Sequence, residues 1–432
     1  VGQLRDRLAE ARAAASTRKI SVGLELVRDV VAAAQALAYR PLLAEALEVR
    51  GRLEELAGTY EAAYETMTEA LWLADACRDD LLLASAMARL INLLADRLAR
   101  FDEALRWRRH ADALVLRLGE ETESHVMLLR AFGTVLFRQG RTSEAIPLLE
   151  RALAIAEKMF GVDERRTLGA IGNLGSARFL HGEPQAAQAL YRRALALAEQ
   201  TYGPQHPEVA SYVLNLGGAY AVVGEFDAAQ PLFERALAIE EAAFGPDHPD
   251  TAAALGNLGA LLSARGERAR ARELMARSIA IDERALGDKH PDLAGSLYNL
   301  ALLEAELGNR TAARGLFERA LAIREAVFPA DSPLVAEVLI ELGDLDLTTG
   351  NVKAALASLE RGLEILERTT DGHAPELAPH VRFSLARALR AVGKERRARS
   401  LAAEALAVYR ELDADRFAGP IAAIESFLAR RR

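Results

Sequence analysis

Apolar residues along this chain recur three and four positions apart in helix-length stretches, and short polar breaks separate one stretch from the next. The segment from Pro207 to Phe244 shows the pattern in full. Val209, Val213, Leu216 and Tyr220 make one apolar stripe; Ala229, Phe233, Ala236 and Leu237 make a second. Two amphipathic helices lying back to back satisfy both stripes. Pro207 suits a first helical turn, where its missing N–H is not needed, and His206 occupies the cap position before it. Gly224 stops the first helix with a residue free to turn left-handed. Asp227 is expected to cap the second, and Pro231 to fall at the edge of its first turn, where at most one backbone bond is lost. Gly217 removes a side chain where the helices cross, and the equivalent positions Gly175, Gly259, Ala301 and Gly343 are small too.

The paragraph then repeats. Gly182, Gly224, Gly266, Gly308 and Gly350 fall 42 residues apart, and fixed-period self-similarity of this length marks units that cannot bury their apolar faces alone and so stack. Towards the front, Ser16, Gly58 and Arg100 sit at matching 42-residue intervals, with a 40-residue step to Gly140 that places a deletion near Leu118–Thr122. Gly350 to Gly393 is a step of 43, the extra residue falling in TTDGHAPE at 369–376. Ten helix pairs result. A last helix from about Phe417 to Arg431, ending in Arg430–Arg432, reads as the polar cap that stops the stack. The boundaries follow: degenerate repeats in 1–118, regular 42-residue repeats in 119–411, a capping helix in 412–432.

Composition narrows the function. Half the 432 residues are apolar but only 6% aromatic, and 27% are charged, a balance for helices rich in Ala and Leu. The net charge of −8 gives no general field for nucleic acid or an anionic membrane. Cys77 stands alone, which excludes a disulfide framework or a cysteine zinc site within one chain. No apolar run reaches membrane-spanning length; Leu81–Met87 is among the longest. The first residues, VGQLRDRLAE, carry neither an initiator Met nor a signal-peptide core, so the sequence reads as a piece of a longer protein.

The spacing Val213-x2-Leu216-Gly217-x2-Tyr220 followed by Ala229-x3-Phe233 resembles the tetratricopeptide repeat, and its 42-residue length resembles the repeats of kinesin light chains. The resemblance is specific in Gly161–Gly350. It implies an all-α fold, a right-handed α-solenoid of about ten antiparallel helix pairs with a C-terminal capping helix, whose first helices line a concave face. The end segments (Tyr39–Leu47, Glu69–Ala74, Phe101–Trp107 and Phe383–Leu389) resemble the C-terminal repeat region of myxobacterial serine/threonine protein kinases. That likeness implies a kinase domain before this segment, often with a membrane-spanning helix between, and hence a cytoplasmic or an extracytoplasmic location. The kinase motifs themselves do not occur here: no Gly-rich phosphate loop, no H-R-D, no D-F-G.

On the face that the resemblance makes concave, one position holds Asn173, Asn215, Asn257 and Asn299. A primary amide both donates and accepts, so such a row can meet the backbone of an extended peptide whatever its side chains. Ser211, Ala253 and Gly295 lie one turn before the row; Ser176, Gly218 and Ala260 lie one turn after. The row breaks at Val49, Ile91 and Ala131 on one side and at Glu341 and Ser384 on the other. Asn173, Asn215, Asn257, Asn299, Ser176, Ser211 and Glu341 are the candidate ligand-binding residues. A second reading of the same asparagines has them bridge neighbouring first helices.

Other patterns lead to plainer chemistry. His206, His248 and His290 recur at the repeat spacing, each before Pro, on separate loops too far apart to share one metal ion; helix capping accounts for them. An acidic middle (Glu208, Glu225, Glu234, Glu240, Glu241, Asp247, Asp250) and a basic end (Lys394–Arg399, Arg430–Arg432) read first as solvated helix faces. The alternative is head-to-tail contact between copies. No nucleophile–base pair, carboxylate pair, phosphate loop or cofactor motif is present. The expectation is a non-catalytic scaffold for a protein or extended peptide, with no metal, cofactor, nucleic-acid or direct membrane contact. Self-association, or service as the repeat region of a nucleotide-binding-switch transcriptional regulator, are the competing readings.

Overall fold

The computed structural model describes residues 1–16, 19–162, 164–368, 376–413 and 417–429, and every regular element among them is helical. The helices pair along the chain: α1 (Gly2–Ser16) with α2 (Ile20–Ala36), α3 (Arg40–Leu56) with α4 (Tyr60–Ala76), and α5 (Asp80–Asp96) with α6 (Phe101–Arg106) and α7 (Arg108–Leu118), which are one helix broken at Trp107. The regular pairs follow as α8 (Glu123–Arg138) and α9 (Thr142–Phe160), α10 (Leu168–Leu180) and α11 (Pro184–Tyr202), α12 (Pro207–Val222) and α13 (Phe226–Phe244), and α14 (Pro249–Ala264) and α15 (Arg268–Leu286). Then come α16 (Pro291–Glu306) and α17 (Arg310–Val327), α18 (Pro333–Thr349) and α19 (Val352–Arg368), and α20 (Leu377–Ala391) and α21 (Glu395–Asp413), with α22 (Ala418–Ala429) last. The link at 17–18, all but Glu376 of the stretch 369–376 where the extra residue is expected, and the basic end Arg430–Arg432 lie outside the described residues.

Contacts gather the chain into two compact units, one of residues 1–179 and 183–251, the other of 180–182 and 252–432. Within each, a hairpin closes where a large side chain of the second helix sits against a residue without one on the first. A Cβ on Gly217 would come within 2.7 Å of the Phe233 ring, and Tyr191, Met275 and Leu359 fill the same place over Gly175, Gly259 and Gly343. The small residue thus admits a large side chain of the partner helix. Val209, Val213, Ala229 and Ala236 are fully buried around it.

Three details differ from the sequence reading. Second helices begin at Ile20, Tyr60, Phe101, Thr142 and Pro184, steps of 40, 41, 41 and 42. The front repeats are therefore each slightly short, and neither Ser16 nor Arg100 matches Gly58. The left-handed residue ending α5 is Ala99 (φ 52°), with Arg100 capping α6. Only a residue forced by its neighbours adopts that conformation without being glycine, so periodicity of glycine could not locate it. The second helix α13 starts at Phe226 with Glu225 as its cap residue; Asp227 lies inside the first turn, where its charge still favours the positive helix end. Pro231 falls in the second turn of α13, not at the edge of the first.

Repeat-spaced ion pairs run along the second helices. In the first unit Arg193 meets Glu157 at 2.6 Å and Arg235 meets Glu199 at 2.7 Å. In the second, Arg319 meets Glu283 at 2.6 Å, Arg361 meets Glu325 at 2.5 Å and Arg397 meets Glu360 at 3.2 Å. Half-exposed pairs of this kind contribute about 0–1 kcal/mol each; their regular placement helps hold successive hairpins in one register.

Gly217 and Gly218 provide a matched test of the packing. Nothing lies within 4 Å of a Cβ on Gly218, so Gly218→Ala should stabilise by about 0.5–1 kcal/mol through helix propensity. Gly217→Leu must displace Phe233 and should destabilise by about 1–3 kcal/mol. Urea unfolding of the two variants checks the opposite signs.

Candidate functional site

The structure fixes each predicted amide separately. In the first unit Asn173, half-buried on α10, donates from Nδ2 to Thr134 Oγ1 on α8 at 3.0 Å, a bridge between neighbouring first helices. Asn215 on α12 is also half-buried and makes no side-chain hydrogen bond among the described residues. In the second unit Asn257 on α14 is exposed and Asn299 on α16 half-buried, again with no side-chain hydrogen bond among the described residues. Ser176 turns towards its own hairpin: its hydroxyl donates to Gly172 O at 3.1 Å and accepts from Tyr191 at 3.2 Å. Ser211 is exposed and donates to Glu208 O at 3.3 Å.

Glu341, on α18, belongs to a polar cluster that periodicity did not announce. One turn on, Asp344 accepts hydrogen bonds from His380 Nε2 at 2.9 Å, Ser384 Oγ at 2.9 Å and Arg387 Nη1 at 3.3 Å, all from α20. Glu337, one turn back, pairs with Arg324 at 2.9 Å. Glu341 has no hydrogen bond of its own among the described residues. Burial pushes its carboxyl up to about 7, with Asp344 and Glu337 adding to the shift and His380 opposing it. Burial pulls the His380 imidazole down, but its bond to Asp344 and the charges of Asp344 and Glu341 carry it above the ordinary range.

Two further groups of the first unit escaped the sequence reading. Arg97, at the end of α5, lies 3.6 Å from Asp250 in the first turn of α14. Burial disfavours its charge, yet Asp250, Tyr60, Asp96 and Glu55 together hold its pKa above the ordinary arginine value. Arg130 on α8 has no such acid. Its guanidinium lies against Gly169 of α10, beside Tyr212 of α12, whose ring lies against Gly172. The signal for Arg130 was present: it stands directly before Ala131 of the asparagine row, where the next repeat has Gly172.

His206 and His290 accept from the backbone N–H two residues on, at 3.1 and 3.2 Å, and His248 does likewise at 3.2 Å. Among the described residues no group of His, Cys, Asp and Glu is placed to hold a metal ion, and no helix is long and apolar enough to cross a membrane.

The tetratricopeptide repeat model matches residues 82–158, 166–239, 210–284, 269–326 and 292–368, more than half of the chain. The chain is a tetratricopeptide repeat protein. Repeats of this kind serve generally as protein-interaction scaffolds and are typically non-catalytic. A comparison with curated protein sequences gives no match. Among solved structures, a putative kinesin light chain with nearly identical repeats from Podosopora anserina is 27% identical over 47% of this tetratricopeptide repeat chain and 97% of that chain, with a TM-score of 0.37. BtubC (BKLC) from P. vanneervenii is 20% identical over 55% of this chain and 92% of that one, with a TM-score of 0.44. A Rap protein complexed with competence and sporulation factor is 13% identical over 81% of this chain and 99% of that one, with a TM-score of 0.56, a likeness of fold.

Glu341 carries a pH signature. A carboxyl whose folded pKa lies above its ordinary 4.5 binds more protons folded than unfolded, so it lowers stability as pH rises from about 4.5 to about 7. Glu341→Gln removes that burden. The variant should match the parent near pH 5 and exceed it near pH 8, as read by urea unfolding at both values.

Proposed function

We propose that this chain binds an extended segment of a partner protein on the first-helix faces of its repeats. The observation that carries the proposal is the set of amides that make no side-chain hydrogen bond among the described residues: Asn215 in the first unit, Asn257 and Asn299 in the second. An asparagine needed only to bridge helices would have its bond made, as Asn173 does with Thr134. An open amide at the same place in the repeat is available to a backbone N–H and C=O of a bound chain. Ser211 and Glu341 flank the row as side-chain contacts; Ser176 and Asn173 support it from within.

The finer role we propose is the docking or sensing half of a bacterial serine/threonine kinase. The motif resemblance of Tyr39–Leu47, Glu69–Ala74, Phe101–Trp107 and Phe383–Leu389 supports it. Self-association of acidic middle with basic end has less support, because part of the basic end is answered within the chain: Arg397 pairs with Glu360 at 3.2 Å and Arg399 approaches Glu395 at 3.9 Å.

Selection of peptides from a displayed library, followed by titration of a selected peptide, tests the binding face. Asn215→Ala, Asn257→Ala and Asn299→Ala should each leave stability within about 0.5 kcal/mol, yet together weaken the peptide by about tenfold or more, each lost bond contributing about 0.5–1.5 kcal/mol. Asn173→Ala should instead lower stability by about 0.5–1.5 kcal/mol through its lost bridge. A triple variant that binds as tightly as the parent would sink the assignment of these amides.

A further inference from the structure

Each second helix turns one strip outward, away from its hairpin, and in the regular repeats that strip is bland. Five residues after Leu149, Tyr191, Phe233 and Met275, which fill four of the hairpins, come Ala154, Ala196, Ala238 and Ala280, all exposed. In the α3–α4 hairpin the filling side chain is Met67, set against Gly51, and the same offset brings Trp72, 51% exposed. Packing does not ask for an indole at a position where alanine serves elsewhere, and a large apolar group held in water marks a surface with a use. The chain has two tryptophans, and the other touches this one. Trp107, half-buried at the break between α6 and α7, lies 5.6 Å from Trp72 between ring centroids, with His110 5.4 Å from Trp107.

Charge is sorted to either side of the tryptophan pair. On α4, Glu65 and Glu69 are exposed and in no ion pair among the described residues, and they edge a shallow depression of about 560 Å³ that Tyr64, Thr68, Trp72 and Leu73 also line. On α6–α7, Arg106 and Arg109 are exposed and likewise in no ion pair among the described residues. Two acids of that helix are already engaged, Glu103 by Tyr64 at 2.6 Å and Asp112 by Arg108 at 3.0 Å; Asp102 stays exposed. A mostly apolar hollow with an indole in it and two carboxylates at its rim fits an arginine side chain. The stem covers apolar surface, the planar guanidinium lies on the ring, and the carboxylates meet its charge. The two helices run side by side, tied by Tyr64 to Glu103 and by Arg100 to Glu61 at 2.6 Å. A two-fold axis laid along them over the tryptophan pair therefore sets α4 of one copy on α6–α7 of another. It brings Glu65 and Glu69 opposite Arg106 and Arg109 twice, the self-complementarity that an isologous interface requires.

We propose that the chain forms a symmetric dimer through the outer faces of α4 and α6–α7, with Arg106 and Arg109 of each copy entering the depression beside Trp72 of the other. The surface uses second helices alone, so the inference is independent of the peptide-binding reading of the first helices.

Sedimentation velocity of the full chain over about 1–200 μM should show monomer giving way to dimer. Trp72→Ala, which installs the residue of the regular repeats, should raise the dimer Kd by about tenfold or more and leave the far-ultraviolet circular dichroism unchanged. Two charge-reversed chains supply the decisive comparison. One carries Glu65→Arg with Glu69→Arg, the other Arg106→Glu with Arg109→Glu. Each alone meets like charge across the axis and should stay monomeric over the same range. Mixed in equal amounts they should form a dimer within about threefold of the parent's Kd, since every reversed contact is then matched. A parent chain that is monomeric at every concentration would overturn the proposal and leave the surface to a different protein. A parent dimer indifferent to Trp72→Ala and to both reversals would place self-association elsewhere on the molecule and overturn it as well. Reversed chains that stay monomeric when mixed would overturn the two-fold pairing of α4 with α6–α7.

Discussion

The regular repeats depend on a contact made inside the hairpin: a large side chain of the second helix set against a first-helix position that bears only a hydrogen or, at Ala301, a methyl group. Tyr191 over Gly175, Phe233 over Gly217, Met275 over Gly259 and Leu359 over Gly343 are the same contact in four hairpins. Burying such a side chain is worth about 1.5–3 kcal/mol, too little for one hairpin to offset the entropy of ordering some forty residues. Stability therefore requires neighbours, and the remaining apolar stripes of each hairpin supply the surface on which the next one stacks. The same geometry decides where binding can occur. The stripe carrying Gly217 faces its own partner helix and the flanks face neighbouring hairpins, so what remains of a first helix is a polar strip that packing does not use.

The two kinds of helix put their polar residues to different purposes. Along the second helices, charges are matched from hairpin to hairpin, as in Arg235 with Glu199 and Arg319 with Glu283. Those groups are answered within the molecule and leave little net field. First helices carry amides that are answered only in part, beside ion pairs between neighbours such as Arg138 with Asp96 and His380 with Asp344. Asn215 and Asn299 make no side-chain hydrogen bond among the described residues, whereas the second-helix ladder is paired.

Repetition made most of the fold legible. Gly182 to Gly350 announced the period, and the stripes around Gly217 gave the hairpin. Features that depend on one local conformation stayed hidden. Ala99 holds the left-handed turn that glycine marks elsewhere, so the front repeats were assigned a 42-residue step when the structure has 40 and 41. Asp227 looks like a cap by residue type, but the backbone turns helical one residue after Glu225. The asparagine row was readable because it recurs. Its bonding was not: Thr134 accepts from Asn173, whereas Ser176, at the same place before Asn215, commits its hydroxyl to Gly172 O and Tyr191 of its own hairpin. The same limit hid Arg130 and the Asp344 cluster, whose members come from different hairpins and appear once.

That contrast bears on selectivity. A repeated amide can hold a backbone but cannot tell one peptide from another, because every peptide offers the same N–H and C=O. A net amide hydrogen bond is worth about 0.5–1.5 kcal/mol and one to a charged group about 1.5–3, so a single charged contact can match two amides. Residues that break the repeat are then where discrimination has to reside. Arg130 in the first unit and Glu341 in the second are such breaks, opposite in charge, one without any acid and the other without a hydrogen bond among the described residues. On the proposed binding face, the regular repeats would supply a length of generic backbone contact, and the irregular positions would decide which sequence along that length is retained.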